Sequence, residues 1–267
     1  MQNEAPRHVD HQSAYLPRWS RTARDYARHR AGFPASFYAR VEPLLGPRVL
    51  DVGTGTGTVA RALARRGHAV TAIDVAAGQL AEAVRLANEA DLAIDFRRVP
   101  AEHTGLDARS FDVAIAAQCW HWLDRPKAAL EMRRLLRPGG RLLLAHLDWI
   151  PRAGNVVEAS VALVRAHRRV ELPHLERVSL DGLYGPWLED LHAAGFERVE
   201  SFSFDVAIPY TAESWRGRMR ASAHVGATLD DAGVARFDAD LAEALTAYGD
   251  AFPVPHRVFV AHAEEPS

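Results

Sequence analysis

Three glycines stand at alternate positions where an apolar run gives way to an amphipathic one, in Val49-Leu50-Asp51-Val52-Gly53-Thr54-Gly55-Thr56-Gly57. A strand that ends in closely spaced glycines and opens a helix exposes bare backbone at a helix N-terminus, where a ligand can approach. The dinucleotide fingerprint G-x-G-x-x-G requires glycine at position 58, and Thr58 stands there instead. Asp51 precedes the glycines, and Asp74 ends the next apolar run, where an acid can accept bonds from a ribose diol held over the loop. A carboxylate as deep in the loop as Asp51 suits a ligand carrying an ammonium group better than a pyrophosphate.

The flanking pattern alternates short apolar runs with amphipathic ones. Strands are predicted at 48–52, 69–73, 94–99, 111–117 and 141–145. Helices are predicted at 58–66 and 79–88, and from an Asp124 cap to about 136. That rhythm implies a parallel sheet with helices on both faces. After His146 it breaks into a helical insertion at about 150–182, a helix at 183–194 and a strand at 199–208. Helices at 211–222 and 230–248 and a last strand at 257–261 follow. The second half reads as two edge strands with helical cap insertions, about 150–182 and 211–250, over the same sheet. The expectation is an α/β, doubly wound, seven-stranded Rossmann-like sheet forming one domain over 21–267, preceded by a flexible arm at 1–20.

Composition narrows the function. Lys and Arg number 32 against 34 Asp and Glu, a net charge of −2, so no global field draws nucleic acid or an anionic membrane. The single cysteine, Cys119, excludes an intrachain disulfide framework and any multi-cysteine zinc site. The histidines have no H-E-x-x-H-like spacing, so no metal is expected. No apolar stretch reaches the roughly 20 residues of a bilayer span, and residues 1–13 lack the apolar core of a secretory signal. A cytoplasmic protein, monomer or homodimer, acting on a small molecule is the expectation.

The loop and its following acid resemble motif I of the class I S-adenosylmethionine (SAM) methyltransferases, over roughly residues 21–146. Tyr26-Ala27-Arg28-His29-Arg30-Ala31-Gly32-Phe33-Pro34 is similar to the lead-in of the branch containing the trans-aconitate methyltransferases, departing from it at Ala31, where proline is usual. Ala101-Glu102-His103-Thr104-Gly105-Leu106 resembles the adenine-side motif, and Gln118-Cys119-Trp120-His121-Trp122-Leu123-Asp124 the motif after the fourth strand. Leu136-Arg137-Pro138-Gly139-Gly140 resembles the turn before the fifth; quinone-biosynthesis methyltransferases belong to the same small-molecule branch. The resemblance implies SAM as cofactor, S-adenosylhomocysteine as product, and methyl transfer to an O, N or C atom of a metabolite. It implies a cofactor site of Tyr26, Arg30, Asp51, Gly53, Thr54, Gly55, Asp74, Val75, Ala101, Glu102 and Gln118. A non-catalytic SAM-binding protein and a nicotinamide-dependent oxidoreductase stand as alternatives, the second opposed by Thr58.

Candidates for the chemistry cluster at strand ends. His121 after the fourth strand is either a general base or a structural ligand of its own motif, and the structural role is preferred. His146, with Asp148, lies just past the fifth strand and is the second candidate for moving a proton. Trp120, Trp122, Trp149 and Trp215 are candidate pocket walls. In Trp215-Arg216-Gly217-Arg218-Met219-Arg220, helical spacing puts Arg216 and Arg220 on one face, with Arg218 pointing elsewhere. Arg216 and Arg220 are therefore the candidate clamp for an anionic substrate, against the plainer reading that they pair with nearby acids.

Overall fold

A computed structural model describes residues 23, 25–167 and 181–266. The expected arm at 1–20, and residues 168–180 of the first insertion, lie outside the described residues. Seven strands form one sheet: β1 Arg48–Val52, β2 Ala69–Ile73, β3 Asp95–Arg97, β4 Phe111–Ala117, β5 Leu136–Trp149, β6 Glu197–Thr211 and β7 Ala251–Glu264. Their order is β3-β2-β1-β4-β5-β7-β6.

Strands β1 to β5 are parallel, as the alternating pattern predicts. The expectation of two edge strands needs correction. β7 lies inside the sheet, antiparallel to both β5 and β6, and among these strands only β6 and β3 are edges. Burial supplies the reason. Leu142 to Ala145 of β5 are fully buried and need a partner along both edges, and β7 meets them with Val260 to Ala263, themselves buried. β6 instead alternates exposed and half-buried residues, as a strand with one wet face must.

Period-two alternation sorts the core into two layers. Val49, Val113, Ile115, Leu143 and Val258 face helices α1 (Ala35–Val41) and α2 (Thr58–Ala64). Leu50, Ala114, Leu142, Leu144 and Phe259 face the opposite way, toward α4 (Arg125–Leu135) and α6 (Gly185–Ala193). Helix α3 spans Ala77–Glu89, between β2 and β3. A third cluster lies under the cap, where α5 (Val156–His167), α7 (Ala212–Arg220) and α8 (Asp231–Leu245) enclose Trp215, Phe237 and Leu241.

Local sequence fixes the helix starts. The Asp124 side chain accepts from Lys127 N, and Pro126 occupies the first turn of α4. Thr211 and Ser214 form a reciprocal capping box on α7. Residues 25–29 are helical and dock on α7, where a Cβ at Gly217 would stand 2.2 Å from His29 Cδ2. Only glycine allows that approach, so the lead-in segment and the cap helix meet over the C-terminal edge of the sheet. No helix among the described residues is long and apolar enough to cross a membrane.

Candidate functional site

The glycine loop sits at the C-terminal end of β1, built around two acids, Asp51 buried and Asp74 half-buried. Asp51 Oδ2 accepts from Thr54 Oγ1 at 2.6 Å and from Ala60 N at 3.0 Å, which ties strand, loop and helix together. Burial raises the Asp51 carboxyl to about 7, against the pull of those two bonds. Thr54 also donates its N–H to Ile73 O at 2.9 Å, bracing the loop on β2. Asp74 Oδ2 accepts from Gly55 N and its Oδ1 from Ala76 N, both at 2.8 Å, and the Val75 N–H also bonds the carboxylate, which keeps acceptor capacity for a ligand hydroxyl. Burial moves Asp74 upward as well.

The glycines divide the work. Gly53 has φ +60°, and a Cβ there would stand 2.6 Å from Cys119 Cβ and 2.8 Å from its sulfur. It serves the close approach of the β4 loop. Gly55 has φ +56°, yet its nearest neighbour to such a Cβ is Gln79 Oε1 at 3.8 Å. Gly55 thus keeps a space clear that no atom of the described residues fills. Gln118 holds a left-handed φ of +66° at the end of β4, donating N–H to Ala145 O at 2.8 Å and Nε2–H to Leu147 O at 3.0 Å. Such strain in a residue other than glycine persists where surrounding structure imposes it, often at sites of function. Cys119 is buried, its thiol pushed up by burial and donating to Val52 O, which fits packing and not a nucleophile.

On the other side of the loop, Ala101 is buried in the core and Glu102 Oε1 accepts from Asp124 N at 2.9 Å. Thr104 is anchored to Glu131 Oε1 through its N–H and hydroxyl. Val75 follows Asp74 and is half-buried, its carbonyl accepting from Arg98. Tyr26 and Arg30 lie in the lead-in, the guanidinium carbon 4.7 Å from the ring centroid.

The two candidate histidines meet, with ring centroids 5.2 Å apart. His146 Nδ1 lies 3.0 Å from Asp148 Oδ1 and 2.9 Å from the Tyr184 hydroxyl. Tyr184 donates its only hydroxyl hydrogen to Asp148, so Nδ1–H is the donor toward both. This closed triangle leaves Nε2 as the basic atom of His146. Burial alone would raise Asp148, but the His146 charge and hydrogen bond, the Tyr184 bond and the His121 ring together hold it at about 2. Tyr184 stacks on Trp187 at 4.1 Å, which fixes the triangle to α6. His121 packs against Trp122 at 5.1 Å. Sequence reasoning missed Tyr184, which precedes a helix with no motif around it. Among the described residues, no group of three or more His, Cys, Asp or Glu could hold a metal ion.

Four candidate substrate residues are corrected. Trp120 has no exposed surface, and its Nε1 donates to Asp190 at 2.9 Å, so it is core beneath α6. Trp215 is likewise fully buried, donating to Ser160 Oγ at 2.9 Å. Arg216 and Arg220 both pair with Asp238 of α8, and Arg220 also reaches Asp25 at 3.4 Å. They clamp helices and no pocket. Asp238 was not an expected partner, because helix-to-helix register is invisible in one sequence. Trp149, by contrast, stays half-buried at the end of β5, with Arg218 over its ring at 4.5 Å, and Trp122 is half-buried too.

Comparison with known proteins places this geometry. The "Methyltransferase domain" family matches residues 50–144, from β1 into β5. An uncharacterized methyltransferase of Mycobacterium tuberculosis is 36% identical over 154 residues, which span 55% of this chain and 61% of that protein. The ubiquinone biosynthesis O-methyltransferase of Xanthomonas axonopodis pv. citri is 31% identical over 189 residues, 69% of this chain and 74% of the relative. The Haemonchus contortus phosphoethanolamine N-methyltransferase 2, solved with SAM, superposes with a TM-score of 0.53 at 18% identity, covering 99% of this chain and 59% of that one.

Proposed function

Because the chain belongs to the class I SAM-dependent methyltransferases, we propose that it transfers a methyl group from SAM to an O, N or C atom of a small-molecule metabolite. The residues fit the cofactor. Gly55 leaves open the space that a side chain would fill, beside buried Asp51 and half-buried Asp74. Asp74 would take the ribose hydroxyls, Asp51 and the Tyr26–Arg30 lead-in the methionine end, and Val75, Ala101 and Glu102 the adenine side. Bound there, SAM supplies a methyl group already activated by its sulfonium. The chain's own work is then alignment, exclusion of water and, for a protonated acceptor, removal of a proton.

His146 is the base that this geometry favours. Asp148 and Tyr184 fix its tautomer and orientation through Nδ1, as a third group does in a general-base dyad. His121 borders it and acts as a positioning residue. The observation that carries the reading is the meeting, at one sheet edge, of the Gly55 opening, Asp74 and the His146–Asp148–Tyr184 triangle. The cap helices over that edge and the net charge of −2 favour a small acceptor over a nucleic acid.

Calorimetry with SAM and with NAD tests the cofactor, and S-adenosylhomocysteine release on incubation with metabolite mixtures tests turnover. SAM binding with release that His146→Asn abolishes is the expected result. Binding of NAD and not SAM would overturn the reading, and SAM binding without release would make the protein a SAM-binding module.

A further inference from the structure

We propose that Arg218 is the anion-binding residue of the acceptor site, and that the acceptor is a monoanion, a carboxylate on a flat apolar body. This rests on the methyltransferase reading and names its substrate class.

Arg218 sits on α7 with only 9% of its surface exposed. Among the described residues it makes no hydrogen bond or ion pair, and its Nη1 is buried without a partner. Its neighbours on the helix differ: Arg216 and Arg220 share Asp238. A buried charge left unpaired is a costly arrangement, and arginine cannot escape it by giving up its proton. Burial and the nearby Arg30 charge do pull the guanidinium down, to about 10, still charged at neutral pH.

The surroundings define what would relieve that charge. The Trp149 ring lies 4.5 Å from the guanidinium carbon and covers one face of it, so an anion would be met by the N–H edge, where Nη1 lacks a partner. Arg30, Tyr210, Tyr26 and Asp148 are the charged and phenolic groups that act on Arg218. Asp148 is engaged by His146 and Tyr184 and forms no ion pair with Arg218. His256 is neutral, held at about 4 by burial, with Nδ1–H donated to Val254 O. With Arg30 assigned to the methionine end of the cofactor, Arg218 keeps one positive charge that no described carboxylate pairs, which suits a monoanion. Trp149 and Tyr26 are half-buried and Tyr210 lies parallel to His256, so the walls are flat and aromatic. Asp148 acts on Arg218 through its charge and also belongs to the His146 triangle, so an acceptor anchored on Arg218 has its far end toward that triangle.

The test is calorimetry on the full chain at pH 7.5 with saturating S-adenosylhomocysteine, using benzoate and its neutral counterpart benzamide as probes. The wild type is expected to bind benzoate about tenfold or more tighter than benzamide. Arg218→Met should erase that preference while S-adenosylhomocysteine affinity stays unchanged. Arg218→Lys should retain part of the preference, and with the wild-type comparison it decides the matter if the methionine variant does not fold. Equal binding of the two probes by the wild type, or binding of neither, overturns the proposal, as does a preference that survives in Arg218→Met. A parallel loss of S-adenosylhomocysteine affinity in Arg218→Met would assign the guanidinium to the cofactor's own carboxylate and also overturn it. Failure of the wild type to bind S-adenosylhomocysteine would count against the methyltransferase reading itself, and shows before any probe is added.

Discussion

The cofactor edge and the cap differ in what defines them. Around Gly53 to Gly57 and Asp74 the site is made of backbone, at strand ends whose positions the chain order dictates. Under the cap it is made of side chains on helices, and one turn of α7 decides which arginine faces inward. The glycine loop is therefore expected to be more sensitive to substitution than the cap.

The largest expected effects lie at the loop, and they separate its two roles. Gly53→Val drives a Cβ to 2.6 Å from Cys119 Cβ at a positive φ, so the protein should lose about 3 kcal/mol or more of stability. Gly55→Val carries a similar backbone strain with no such collision, so it should fold with a loss of about 1–2 kcal/mol. Its SAM affinity should nonetheless fall by about 100-fold, since the branched side chain enters the space the cofactor needs. Thermal denaturation paired with calorimetry distinguishes the two. A Gly55→Val protein that binds SAM normally would show that the glycines serve only the turn.

Asp74→Ala comes next. It removes the acceptor of Gly55 N and Ala76 N as well as any ribose contact. Stability should fall by about 1–3 kcal/mol, and SAM affinity by about tenfold. Unchanged affinity in a folded variant would remove Asp74 from the cofactor site.

The same contrast explains what the sequence could and could not tell. The strand at Phe111–Ala117 and the cap at Asp124 are local facts of pattern and capping chemistry, and they stand where the pattern puts them. The interior position of β7 is not local: it follows from the unpaired edge of β5. The face of Arg218 follows from how α7 lies on Trp149, and helical spacing alone does not reveal that Arg216 and Arg220 meet Asp238. Trp120 and Trp215 failed for the same reason, because a tryptophan beside a motif looks alike in core and pocket. Tyr184 joins the His146 triangle from 38 residues away, a distance no motif spans.

A smaller effect isolates Asp51. Its folded carboxyl is raised to about 7 from an ordinary 3.8, so the unfolded chain ionises first. The native state therefore loses stability from this group as pH climbs from about 4 to about 7. Asp51→Asn keeps an oxygen to accept from Thr54 and Ala60 and cannot ionise. The ligand-free variant should then melt higher than the wild type, by a margin that widens between pH 5 and pH 8, while SAM affinity falls. A margin that is flat with pH would show that the carboxyl titrates normally.

The smallest effect belongs to Arg216, where the comparison predicts almost nothing. Its guanidinium pairs with Asp238, a carboxylate that Arg220 also holds at 2.7 Å, and both arginines are partly open to solvent. Partly exposed pairs of this kind contribute about 0–1 kcal/mol, and Arg220 keeps Asp238 partnered when Arg216 is removed. Arg216→Gln should therefore lower stability by less than about 1 kcal/mol and leave SAM affinity and acceptor KM unchanged. Arg218, two residues along the helix and buried, should behave oppositely under the same kinetic assay. A raised acceptor KM in Arg216→Gln with Arg218→Met unaffected would mean that α7 presents its other face to the acceptor, and that the helix is seated differently over the sheet edge.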